Sequence, residues 1–135
     1  MGLFFAMADE RWYSAGMNAK TLKNLLEKGE EHILLIDVRE PDEVSDEPYF
    51  DIPPDNYIPL SLTILSVLPK EELAEKIMGM LAYLGWEVDS VRIVTLCRSG
   101  RRSEMACPYF TRLGFSVPVE SLDGGHGAWM RASGE

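Results

Sequence analysis

Cys97 sits where an apolar run, Val91 to Leu96, gives way to Cys97-Arg98-Ser99-Gly100-Arg101-Arg102-Ser103, and that stretch leads into the helix-like sequence Glu104 to Leu113. A strand that ends in a short Gly-containing loop and then turns into a helix offers its backbone N–H groups, and the positive end of the helix, to an anion in the loop's concavity. With Arg98, Arg101 and Arg102 within five residues of the thiol, the guest this loop suits is anionic sulfur, and the thiolate is the nucleophilic form. A free cysteine is more often a small buried hydrophobe, but a core cysteine needs neither the glycine nor three arginines whose unpaired burial is costly. Cys107 takes that bland reading, beside Ala106 and Tyr109 with no basic neighbour. His32 and His126, each without a partner in sequence, read as structural rather than as acid–base groups.

Several elements must hold this loop. Asn18 is a suitable N-cap for a helix over Ala19 to Lys28, with Leu22, Leu25 and Leu26 on one face and Gly29 to stop it. His32 to Val38 is a continuous apolar run ending in polar residues, as in a parallel strand buried on both faces. Asp37 and Arg39 then fall at its C-terminal end, the edge at which ligands bind in open α/β sheets. Pro41 to Pro59 holds five prolines and six acidic residues, which predicts a loop with little room for regular structure; Tyr49, Phe50 and Tyr57 are candidates to wall a pocket. A short helical turn is expected within Leu60 to Leu68 and an amphipathic helix over Lys70 to Leu84, with Leu73, Ile77, Met80, Leu81 and Leu84 inward. After the strand Val91 to Leu96 come a helix over Ser103 to Leu113, a strand over Val117 to Leu122, and a Gly-rich turn into a short helix holding Trp129. Strands alternating with helices predict an α/β domain with a mainly parallel sheet.

The chain has 135 residues, 46% of them hydrophobic, enough for one core-bearing domain. It is expected to divide into an N-terminal tail, 1–16, and a single domain, 17–135. The net charge of −9 argues against nucleic acid or an anionic membrane as partner. Two cysteines outside any CxxC pair predict neither a disulfide framework nor a metal site, and point to a reducing, cytoplasmic setting. Leu3 to Ala8 is apolar but too short to span a bilayer or form a signal-peptide core.

In this order the landmarks resemble the rhodanese-like (sulfurtransferase) family, as a single-domain member. Ile36-Asp-Val-Arg39 with Glu43 is similar to its DVR-x-x-x-E segment, and Ile52-Pro with Ile58-Pro-Leu60 to its IPGAxNIPL segment. Cys97 to Ser103 is similar to the active-site loop C-x-x-G-x-R-S, and Leu122-Asp-Gly-Gly125 with Trp129 to the closing L-x-G-G-x-x-x-W. Any one piece is weak and the combination specific. Asp51 stands where the family has His, and Pro54-Asp55 where it has Gly-Ala.

The resemblance implies a three-layer fold, helices on both faces of the sheet, and a double displacement. The Cys97 thiolate takes sulfane sulfur from a small anionic donor such as thiosulfate, and the persulfide passes it to cyanide or to a protein or small-molecule thiol. No cofactor beyond the covalent persulfide is implied. Arg98, Ser99, Gly100, Arg101, Arg102 and Ser103 form the binding loop, Arg98 and Arg101 drawing in the donor and Ser103 either donating its hydroxyl or capping the helix. Arg102 has two readings, substrate contact or a brace paired with a carboxylate; Asp37 and Arg39 read as supports that orient the loop. Two other functions stand beside the transferase: a binding or regulatory module on the same fold, and a Cys-dependent phosphatase or arsenate reductase. A phosphatase loop places five residues between Cys and Arg, and this chain has four between Cys97 and Arg102.

Overall fold

The two central strands are built on apolar runs, Ile33 to Ile36 in one and Val91 to Leu96, broken by Arg92, in the other, and burial on both faces is what such runs require. The computed structural model describes residues 16–133. The elements run α1 (Ala19–Lys28), β1 (His32–Asp37), α2 (Pro41–Asp46), β2 (Tyr57–Pro59), α3 (Leu62–Val67), α4 (Lys70–Leu84), β3 (Val91–Leu96), α5 (Arg101–Thr111), β4 (Val119–Ser121) and α6 (Gly125–Ser133). The four strands form one parallel sheet in the order β2-β1-β3-β4. The tail expected at 1–16, with its apolar stretch 3–8, lies outside the described residues except for Gly16.

Alternation along β1 sorts its side chains into two cores. Leu34 and Ile36 join Leu65 of α3, Leu73, Ile77 and Leu81 of α4, and Ala106, Cys107 and Phe110 of α5. Ile33 and Leu35 face the other way, onto Ala19 and Leu22 of α1 and Trp129 of α6. The result is three layers, helix, sheet and helix. α1 follows its sequence signals: the Asn18 side chain accepts from the N–H of Lys20 and Thr21, and Gly29 closes the helix in a left-handed conformation.

The acidic, proline-rich stretch is more ordered than its composition predicts. α2 forms inside it because Pro41 occupies the first turn, where its missing N–H costs nothing, and Glu40 and Glu43 make a reciprocal capping box. β2 then pairs with β1 through Leu35–Tyr57, Ile36–Ile58 and Asp37–Pro59. α5 starts two residues earlier than expected, and β4 is shorter than its apolar run. From β1 the chain passes to β2 on one side, and from β3 to β4 on the other. The ends of β1 and β3 therefore open where the topology diverges, which is where a parallel sheet makes a crevice.

Candidate functional site

The register of the sheet brings the chemistry together. Asp37 pairs with Leu96 and Thr95 with Ser121, so Arg39, Cys97 and Ser121 emerge at one C-terminal edge. Cys97 follows the last residue of β3, and the turn closes at Gly100, whose left-handed backbone (φ 101°) N-caps α5. Gly100 donates its N–H to Cys97 Sγ at 3.0 Å, and Ser103 Oγ lies 3.4 Å from the same sulfur. Ser103 is therefore not the helix cap that the sequence allowed. It sits in the first turn, donates to the Gly100 carbonyl at 3.1 Å, and lies 2.6 Å from Ser121 Oγ. Cys97, Ser103 and Ser121 are all buried.

The three arginines of the loop separate by role. Arg102 forms a two-pronged pair with Glu43, Nη1 and Nη2 each 2.7 Å from a carboxylate oxygen. That is the bracing geometry, and it ties α5 to α2. The hydrogen bond from Arg102 holds the Glu43 carboxyl down at about 2. Arg98 and Arg101 are exposed and pair with no carboxylate among the described residues. Ser99 is exposed beside them.

Behind the loop lies a second, fully buried ion pair. Arg39 Nε and Nη2 contact Asp37 Oδ1 at 2.9 Å and Oδ2 at 2.7 Å, while Nη1 donates to the carbonyls of Glu47 at 2.7 Å and Glu43 at 3.4 Å. Tyr57 donates to Asp37 Oδ2 at 2.6 Å, and the Arg39 guanidinium lies 4.8 Å from the Tyr49 ring centroid. Every polar atom of the buried pair is used, the condition under which such a pair is tolerable. Asp37 and Arg39 therefore fix the path of residues 40–57, and their hydrogen bonds run to that segment rather than to Cys97–Ser103.

Of Tyr49, Phe50 and Tyr57, the first is buried and the other two are half-buried against the same core. Tyr49 is buried, donates its hydroxyl to the Cys97 carbonyl, and has its own carbonyl held by Trp129 Nε1 at 3.0 Å. Burial drives the Tyr49 phenol well above its ordinary range, so it stays a donor. Phe50 packs between Tyr57 and Trp129. His126 belongs to the same floor: its backbone N–H donates to the carbonyls of Cys97 and Arg98, both at 3.0 Å, its ring meets the Tyr49 ring edge-on, and Nε2 lies 3.0 Å from the Pro48 carbonyl. Gly125 presses against the loop backbone, where a Cβ would come within 2.5 Å of Arg98 C and O. Sequence reasoning missed Tyr49, Ser121 and Gly125 as loop supports; the Gly124-Gly125 doublet before Trp129 was the available signal.

The second thiol behaves as packing. Cys107 is buried, donates to the Ser103 carbonyl at 3.4 Å, and is pushed up to about 12 by desolvation. His32 stacks on Trp86 at 4.5 Å at the opposite end of β1 and takes no part in the site. Among the described residues no group of His, Cys, Asp and Glu is placed to hold a metal, and no helix is long and apolar enough to cross a membrane.

The family model described as "Rhodanese-like domain" matches residues 18–132. None of the curated proteins compared with the chain matches it at a significant level. Among solved structures, a single-domain sulfurtransferase of Saccharomyces cerevisiae is similar at 21% identity and TM-score 0.59, with 96% of each chain covered. A thiosulfate sulfurtransferase of Pseudomonas aeruginosa is similar at 22% identity and TM-score 0.60; the match covers 92% of this chain and 20% of that one. A Rhodopseudomonas palustris protein of unknown function, described as a possible tyrosine phosphatase, has TM-score 0.65 and 22% identity over 88% of this chain and 81% of its own. At these identities the likeness is one of fold.

Proposed function

Because the chain belongs to the rhodanese-like domain family, we propose that it is a sulfurtransferase working by double displacement on Cys97. The Cys97 thiolate attacks the outer sulfur of thiosulfate. The donor's S–S bond breaks, sulfite leaves with the bonding pair, and a new S–S bond leaves Cys97 as a persulfide. Cyanide or a thiolate then attacks the terminal sulfur, and Cys97 departs as the thiolate it began as. The cycle balances without a cofactor or metal.

The observation that carries the reading is the division of labour among the cations. Arg102 is occupied by Glu43, whereas Arg98 and Arg101, on the loop that holds the thiol, are exposed and have no carboxylate partner among the described residues. Their free charge suits a small dianion arriving from water, and the chain's acidic remainder acts at longer range, where salt screens it. The Gly100 N–H on Sγ favours the nucleophilic form. Retention of this thiol and its cations distinguishes the reading from a purely regulatory module, and the four-residue spacing between Cys97 and Arg102 suits a sulfur atom better than a tetrahedral phosphate.

The test is thiocyanate formation from thiosulfate and cyanide, with mass spectrometry for one added sulfur atom on Cys97. Cys97→Ser is expected to abolish both and Cys107→Ser to leave both intact. Equal loss in the two variants, or hydrolysis of an aryl phosphate faster than sulfur transfer, would overturn the assignment.

A further inference from the structure

Ser121 lies outside the loop and outside every segment that carries the family resemblance, yet its hydroxyl is 2.6 Å from that of Ser103, both in a buried site. Three hydroxyl or thiol protons share this place: those of Cys97, Ser103 and Ser121. While Cys97 is a thiol, its S–H points to Ser103 Oγ at 3.4 Å, the Ser103 hydroxyl donates to the Gly100 carbonyl at 3.1 Å, and Ser121 has the choice of Ser103 Oγ or, at 3.4 Å, the Gly100 carbonyl.

Ionisation removes one of those protons to water and turns Sγ from donor to acceptor. Gly100 N–H already points at the sulfur, and among the described residues the side-chain hydroxyl that bonds it is that of Ser103. Turning it there gives up its bond to the Gly100 carbonyl, which keeps the Glu104 N–H at 3.2 Å. One ordering then satisfies every group: Ser121 donates to Ser103 and Ser103 donates to sulfur. A hydroxyl that accepts a short bond is a better donor, because consecutive bonds polarise one another.

We propose that Ser121 is a positioning residue that orients and strengthens the Ser103 hydroxyl as a donor to the Cys97 thiolate. The proposal rests on Cys97 being the nucleophile of the preceding section. Other charged or titratable groups surround the thiol: Arg98 and Arg101 on its own loop, Arg102 with Glu43 on α5 and α2, Tyr49 from the segment after α2, the Asp37–Arg39 pair at the end of β1, and Cys107 on α5. None of these makes a hydrogen bond to the hydroxyl of Ser103 or Ser121. Cys107 meets the Ser103 main-chain carbonyl and the Thr95 hydroxyl. Removing the Ser121 hydroxyl therefore changes one chain of donors and leaves the other charges in place.

The experiment is the pH profile of Cys97 alkylation by iodoacetamide, in a Cys107→Ser background, read beside thiosulfate kinetics. Ser103→Ala is expected to move the half-maximal rate up by about one pH unit, the scale of one hydrogen bond to a charged group, and Ser121→Ala to move it the same way by a few tenths of a unit, about a twofold slowing on the rising limb, because consecutive bonds polarise one another. kcat should fall with it while KM for thiosulfate holds, since Ser121 meets no donor atom. The double variant should be no worse than Ser103→Ala alone, and Ser121→Thr should restore the profile. A Ser121→Ala profile that superimposes on that of the parent, or a double variant whose effect is the sum of the singles, would overturn the proposal. Alkylation needs no sulfur donor, so a protein that alkylates as described but makes no thiocyanate would sink the proposed activity and leave this relay standing.

Discussion

Replacing Gly125 by alanine puts one methyl group against the backbone of the Cys97–Ser103 loop. Gly125 has φ +57°, a left-handed conformation that costs an L-residue about 1–2 kcal/mol. Its Cβ would stand 2.5 Å from Arg98 C and O and 2.7 Å from Ser99 N, against about 3.4 Å for ordinary contact. The loop must therefore retreat by roughly 0.5–0.9 Å, from the clash distances and the tight packing of interiors. That displacement pulls directly on the two His126 N–H bonds to the Cys97 and Arg98 carbonyls, so it reaches Sγ and the cations together. A misplacement approaching 1 Å costs about a hundredfold in rate, near 2.7 kcal/mol of activation free energy. Gly114→Ala is the control. Its φ is +82° with nothing within 4 Å of the added Cβ, so it should lose about 1–2 kcal/mol of stability from strain alone and keep its turnover. Denaturation curves and thiocyanate turnover, measured on both variants, separate strain from displacement. Wild-type turnover in Gly125→Ala, or an equal loss in Gly114→Ala, would refute the claim that α6 positions the loop through this contact.

Two further outcomes follow from the charges. Glu43 titrates near 2 in the folded protein against an ordinary 4.5, so the Arg102 brace contributes stability that is complete above pH 4.5 and lost as the pH falls toward 2. The pair is part-exposed (side chains 31% and 27%), which reduces the value to about 1 kcal/mol; Glu43→Gln should lower denaturant stability by that amount at pH 7, with the difference vanishing near pH 2, and a pH-independent difference would contradict the brace. Arg98→Ala with Arg101→Ala should raise KM for thiosulfate about tenfold or more and leave the stability curve within about 0.5 kcal/mol, because both side chains are exposed and neither pairs with a carboxylate among the described residues; an unchanged KM would remove them from donor capture.

What could be read from the sequence was whatever is written within a few residues. Asn18 and Gly29 bracket α1, the apolar runs mark β1 and β3, and the Cys97–Ser103 spacing specifies a loop of one size, each by local chemistry. α2 escaped because five prolines and six acids outweigh a capping box when composition is weighed over the whole stretch. The start of α5 was misplaced because a left-handed Gly100 can begin a helix as well as end a strand. Tyr49 and Ser121 could not be assigned at all: the first meets its partner carbonyl 48 residues away and the second its partner hydroxyl 18 residues away, separations that only the parallel register closes.

The two ion pairs near the loop differ in how freely they can be revised over generations. Arg102 and Glu43 lie partly in water, so either can be exchanged first, at modest penalty, and the other can drift afterwards. Asp37 and Arg39 are 0% and 1% exposed, and losing one leaves a bare charge in the interior, about 3–5 kcal/mol, a large share of a small domain's stability. Each single step away from that pair passes through a chain that scarcely folds. Descendants of this sequence are therefore expected to keep both residues or to replace them together, while the outer pair wanders.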